Sequence, residues 1–98
     1  MSEYAVILKP VRDNLVATIT ADEALAAERH FAYFASLQKR GKLKYAGRCE
    51  DGYIGIGIFE AASEQEVERL MQEDPALRSG VMSITIKQWR TALSPASW

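Results

Sequence analysis

The sequence predicts an α+β domain in which a four-stranded antiparallel sheet carries two helices on one face. Three observations lead there. Strand-like runs and helical stretches follow the order βαββαβ, both helices open on recognisable caps, and the last run alternates apolar with polar residues.

Tyr4 to Leu8 is rich in β-formers and is closed by Pro10, which predicts a first strand. Lys9 to Asn14 reads as loop. Thr20-Ala21-Asp22-Glu23 has the form of a capping box, where the threonine hydroxyl and the glutamate carboxylate satisfy orphan amide donors at a helix start. That helix is expected to run to about Arg40, with Gly41 as its left-handed stop. Leu43 to Cys49 and Tyr53 to Phe59 form a predicted hairpin around Glu50-Asp51-Gly52. Ser63-Glu64-Gln65-Glu66 is a second capping box, opening a shorter helix with Val67, Leu70 and Met71 on one face. Asp74-Pro75 is expected to end it, because a residue before proline is pushed out of helical geometry. In Met82 to Trp89, Met82, Ile84 and Ile86 point one way and Ser83, Thr85, Lys87 and Trp89 the other. With right-handed crossovers these elements give the ferredoxin-like βαββαβ plait.

At 98 residues, 48% of them apolar and 26% charged, the chain has the material for one core and is read as a single domain over 1–98. A net charge of -1 supplies no field to attract nucleic acid or an anionic membrane. Ala5-Val6-Ile7-Leu8 is too short for a signal or membrane-spanning segment, and Cys49 has no second cysteine to pair with, so a reducing cytoplasmic setting is expected. One histidine and one cysteine cannot supply a tetrahedral zinc site, and Gly55-Ile56-Gly57 lies inside a strand, where no dinucleotide fingerprint belongs. Neither a metal nor a cofactor is expected.

The sheet face turned away from the helices is the next question. Placing Ile54, Ile56 and Ile58 against the helices leaves Tyr53, Gly55, Gly57 and Phe59 on the other side, together with Trp89. Such a face is expected to be covered by a second copy of the chain, giving a homodimer through the open sheet face; the alternative is a solvated polar face, since Ser83, Thr85 and Lys87 belong to it too.

His30 is the lone histidine. At about 100° per residue, Ala27, Phe31 and Phe34 cluster on one side of the first helix, and His30 lies about 40° from Phe34. The ring therefore faces the sheet, either as a packing residue with one hydrogen bond or as the acid/base of a pocket. The second role needs a carboxylate to orient it. Asp74, held before Pro75 at a helix end, is the candidate, although Asp-Pro pairs also serve simply as turns.

Leu8-Lys9-Pro10-Val11-Arg12, His30-Phe31-Ala32-Tyr33-Phe34, Gly41-Lys42-Leu43, Ala46-Gly47, Asp51-Gly52, Gly55-Ile56-Gly57, Asp74-Pro75-Ala76 and Gly80-Val81-Met82, in this order, resemble the YCII-related (YciI-like) family. The resemblance implies a plait that pairs as a dimeric α+β barrel, with a site built on the helix histidine and the Asp-Pro aspartate, here His30 and Asp74. It also implies a fold similar to muconolactone isomerases, and a family member that removes chloride from a chlorinated hydroxyhydroquinone. Many members have Gly-Pro where this chain has Gly47-Arg48-Cys49. An Arg48 aimed into the pocket favours an anionic or phenolate ligand, whereas one aimed outward is an ordinary surface arginine.

The expected function is that of a small cofactor-independent enzyme of isomerase, lyase or dehydrochlorinase type, acting on a small cyclic or aromatic organic molecule. His30 would move the proton and Asp74 orient it, with Arg48, Tyr45 and Phe34 binding substrate. The alternative is a non-catalytic dimer that binds a small ligand or serves a neighbouring enzyme. A haem-related role, known on related dimeric barrels, is a third expectation.

Overall fold

The computed structural model of the chain describes residues 1–95, and its sheet has the strand order β2-β3-β1-β4. β1 (Ser2–Pro10) pairs antiparallel with β3 (Gly55–Ala61) on one side and β4 (Met82–Trp89) on the other, and β2 (Leu43–Arg48) pairs with β3 at the edge. Two longer helices connect them: α2 (Ala21–Lys39) between β1 and β2, and α3 (Glu64–Gln72) between β3 and β4. This is the ferredoxin-like plait, with two short helices added, α1 (Leu15–Thr18) and α4 (Pro75–Arg78).

Local chemistry explains where the helices begin. Thr20 Oγ1 accepts from the Glu23 N–H, and Glu23 Oε1 accepts from the Thr20 N–H, so the first capping box is complete. The second is skewed. Ser63 Oγ accepts from the Glu66 N–H, but the Glu66 carboxylate takes the N–H of Ala62 and, with its other oxygen, the Lys42 ammonium at 2.7 Å. Gly41, at φ 77, ends α2 in the left-handed region that costs a glycine nothing.

The core lies between helices and sheet. Tyr4, Val6 and Leu8 of β1 meet Phe34 and Leu37 of α2 and Val67 and Met71 of α3. On β4 the partly buried Met82, Ile84 and Ile86 face this core and Ser83, Thr85, Lys87 and Trp89 face away, as the alternation requires.

β3 reverses the expected assignment. Gly57, Phe59 and Ala61 face the helices, and Ile56 and Ile58 face the open side. Alternation identifies two sets of side chains and leaves open which is inward, and here the packing of α2 decides. The Phe34 ring meets Phe59 edge-on at 5.7 Å, and a Cβ on Gly57 would stand 3.3 Å from Phe34. A glycine under an aromatic ring lets α2 sit close to the sheet.

Two further expectations need correction. Phe31 is 75% exposed, because the inward stripe of α2 runs through Ala26, His30, Phe34 and Leu37 and leaves Phe31 at its margin. Tyr53 precedes β3 in a turn, where its N–H donates to the Asp51 carboxylate, and it is exposed. The open face therefore carries Ile7, Tyr45, Ile56, Ile58 and Trp89, and neither Phe59 nor Tyr53 belongs to it. At one end of this face Thr91 donates to both oxygens of the Glu3 carboxylate, tying the segment after β4 back onto β1. No helix among the described residues is long and apolar enough to cross a membrane.

Candidate active site

α2 and α4 bring His30 and Asp74 together. α3 ends at Gln72 with Glu73 as its C-cap, and the Asp74 N–H still donates to Met71 O. Asp74 then turns to extended geometry at ψ 124 before Pro75, the first residue of α4, and accepts from the Arg78 N–H through its own carbonyl. Its carboxylate also accepts from the Ala76 N–H at 3.4 Å, as an N-cap. Backbone bonds on both sides thus fix a side chain that is fully buried.

A carboxylate removed from water needs a partner of opposite or donating character. That partner is His30, whose Nδ1 lies 2.8 Å from each Asp74 oxygen. Because a carboxylate accepts and cannot donate, the neutral ring carries its proton on Nδ1, and Nε2 is left with a lone pair. Phe34, one turn along α2, packs against the imidazole at 4.2 Å between ring centroids and is itself buried. The imidazole is 16% exposed, and it separates Asp74 from solvent.

His30 and Phe34 form part of the wall of a pocket of about 600 Å³ that lies between α2, α1 and the β2–β3 half of the sheet. Most of its lining is apolar, including Leu8, Leu15, Ile54 and Met82. Such a cleft, with few polar groups converging in it, is the usual form of a small-molecule site.

The remaining sequence candidates are placed as follows. Arg48 pairs with Gly55 on the helix side of the sheet and lines the pocket, but its Nη1 donates to the carbonyls of Cys49 and Glu50 at 3.1 and 2.9 Å. The guanidinium is thus partly engaged with its own turn. Tyr45 pairs with Ile58 on the open side, is 52% exposed and also lines the pocket.

Sequence reasoning missed α1. Four residues carry no periodicity, yet Leu15 and Val16 form part of the pocket wall. Arg12 holds this helix. Its Nη1 and Nη2 donate to the Glu23 carboxylate at 2.6 and 2.8 Å, and Nε and Nη2 donate to Oγ1 and O of Thr18. The Arg12 guanidinium, helped by the Thr20 N–H, holds the Glu23 carboxyl at about 2, far below its ordinary 4.5. The one signal available was that Arg12 and Glu23 flank the first cap.

Fold and pocket together define a small α+β plait with a histidine paired to a buried carboxylate at a ligand-sized cleft. The YCII-related domain model matches residues 2–90, and the chain belongs to that family. It is 33% identical over 61 residues to the uncharacterised protein YjpA of Bacillus subtilis, spanning 62% of this chain and 72% of that protein. Among solved structures it is similar to 5-chloro-2-hydroxyhydroquinone dehydrochlorinase (TftG) of Burkholderia phenoliruptrix in complex with 2,5-dihydroxybenzoquinone. The TM-score is 0.66 at 20% identity, covering 89% of this chain and 93% of that one. At that identity the likeness is one of fold.

Proposed function

We propose that the protein is a cofactor-independent enzyme that moves a proton on a small cyclic or aromatic organic molecule. The observation that carries this reading is the fully buried Asp74 carboxylate bonded to Nδ1 of a histidine in the pocket wall. Nε2 acts as the base, taking a proton from an O–H or C–H of the bound ring, and Asp74 stabilises the imidazolium as it forms. In an isomerisation the same proton returns to another atom of the substrate. In an elimination the electron pair released by deprotonation expels an anion such as chloride, and the imidazolium later gives its proton to water. Phe34 supports the ring that does this work, and Tyr45 and Arg48 bind the substrate, Arg48 through Nε and Nη2, since it is Nη1 that bonds its own turn.

The fold shared with a dehydrochlorinase whose complex holds a dihydroxybenzoquinone supports this substrate class. The test is release of chloride from 5-chloro-2-hydroxyhydroquinone, and binding of 2,5-dihydroxybenzoquinone, by the native protein and by His30→Gln. Loss of about 10²-fold or more in turnover is expected for the variant. Turnover unchanged by the substitution sinks the mechanism. The mostly apolar lining also suits a non-catalytic binding protein, and a native protein that binds the quinone tightly but turns over no chlorinated ring would establish that second reading.

Homodimerisation belongs to the same proposal. Tyr45, Ile56 and Trp89 share the open face, and a second copy is the partner that would cover them.

A further inference from the structure

We propose that Arg12 is a positioning residue that sets the size of ring the pocket admits, by holding α1 in the wall of the pocket that His30 also lines. A helix of four residues does not persist alone, since nucleation is unfavourable and few hydrogen bonds repay it. α1 also lacks a side-chain cap, because Asn14 before it sits in the left-handed region at φ 58 and its side chain caps no N–H. Something outside the helix must hold it.

Three contacts do so. Leu15 joins Ala26 and Val81 in a small core cluster at its first turn. Val16 lies against Gly52 of the β2–β3 turn so closely that any side chain on Gly52 would overlap a Val16 methyl. At the other end, Arg12 grips Thr18 through two bonds, at 3.2 and 2.7 Å, while its fork holds Glu23. Glu23 is itself fixed by the capping box at the start of α2, the helix that carries His30. Arg12 therefore couples the last residue of α1 to the first turn of α2.

The coupling defines a width. Leu15, Val16 and Ile19 line the same pocket as His30 and Phe34, so the position of α1 sets how much room is left beside the imidazole. Without Arg12, α1 remains attached through Leu15 and Val16, and its last residue with Ile19 is free to swing outward. The pocket then widens without any change at His30 or Asp74.

This inference rests on the small-ring reading of the pocket and not on its proton chemistry. The test uses the full chain with Arg12→Gln and Arg12→Lys, the lysine keeping the charge but losing the planar fork. Amide exchange at Ala17 and Thr18, whose N–H groups donate to Asn14 O, is expected to quicken about tenfold in both variants, with Phe34 and Leu37 unchanged. Affinities for 2,5-dihydroxybenzoquinone and for its fused two-ring counterpart, a hydroxynaphthoquinone, are then compared. The ratio favouring the larger ring is expected to rise about fivefold in both variants. Exchange that stays slow at Ala17 and Thr18, or that quickens equally throughout α2, overturns the local hold. Faster local exchange with an unchanged affinity ratio overturns the size filter. If neither quinone binds the native protein, the small-ring reading fails and takes the size filter with it, while the exchange result still decides whether Arg12 holds α1.

Discussion

Nδ1 of His30 stands 2.8 Å from both carboxylate oxygens of Asp74, a residue 44 positions later in the chain. The two arrive from different crossovers, His30 on the helix between β1 and β2 and Asp74 on the connection between β3 and β4. Replacing Asp74 by Asn keeps the volume but removes the charge that fixes the tautomer. Turnover is expected to fall by about 10²- to 10⁴-fold. Asp74→Ala removes the N-cap as well and leaves the imidazole without its partner, at about 2–4 kcal/mol of stability. Substrate turnover and urea denaturation of the two variants separate the catalytic loss from the structural one.

Gly57 is expected to tolerate no side chain without movement of α2. A Cβ there would stand 3.2 Å from Phe59, 3.3 Å from Phe34 and 3.4 Å from Leu43, all in the packed core. Gly57→Ala is expected to destabilise by about 1–3 kcal/mol, and Gly57→Val by more. Since Phe34 also packs on His30, the alanine variant is expected to disturb the imidazole NMR signals as well as the unfolding midpoint.

Acid is expected to loosen the start of α2. The Glu23 carboxyl lies at about 2 in the folded protein and at its ordinary 4.5 when the chain is unfolded. A lowered folded value means that this carboxylate stabilises the fold above about 4.5, and that the contribution is lost as pH falls through 4.5 towards 2. Arg12→Gln removes the main cause of the shift. The difference in melting temperature between native protein and variant should be largest at neutral pH and shrink towards pH 2. A difference that stays constant over that window would contradict the pairing.

The open sheet face gives a prediction about mass. Sedimentation at micromolar concentration is expected to report twice the chain mass for the native protein and a single chain for Ile56→Lys. A native protein that sediments as one chain removes the dimer from the proposal.

Most of the sheet was legible because β4 alternates cleanly, Met82, Ile84 and Ile86 against Ser83, Thr85 and Lys87, so polarity alone fixes its inward side. β3 gave no such signal. Its two sets are branched aliphatics and a mixture of glycine with phenylalanine, both compatible with burial, and the choice belongs to Phe34 on another element. Phe31 and Phe34 are likewise equivalent by residue type, and the inward stripe of α2, through Ala26, Phe34 and Leu37, separates them. The His30–Asp74 contact was legible as a candidate because proline fixes the backbone beside Asp74. The direction of the Arg48 guanidinium was not legible, since it depends on carbonyls exposed by its own turn.

The burial of Asp74 also bears on how the chain folds. A carboxylate with no access to water is tolerable only once the imidazole is beside it, and that requires α2 and α4 to have docked. A partly assembled intermediate in which the two halves have met in the wrong register would strand a bare charge in an apolar interior. The contact is thus available only to the correctly docked chain, so it favours the native arrangement of the two halves over other compact ones.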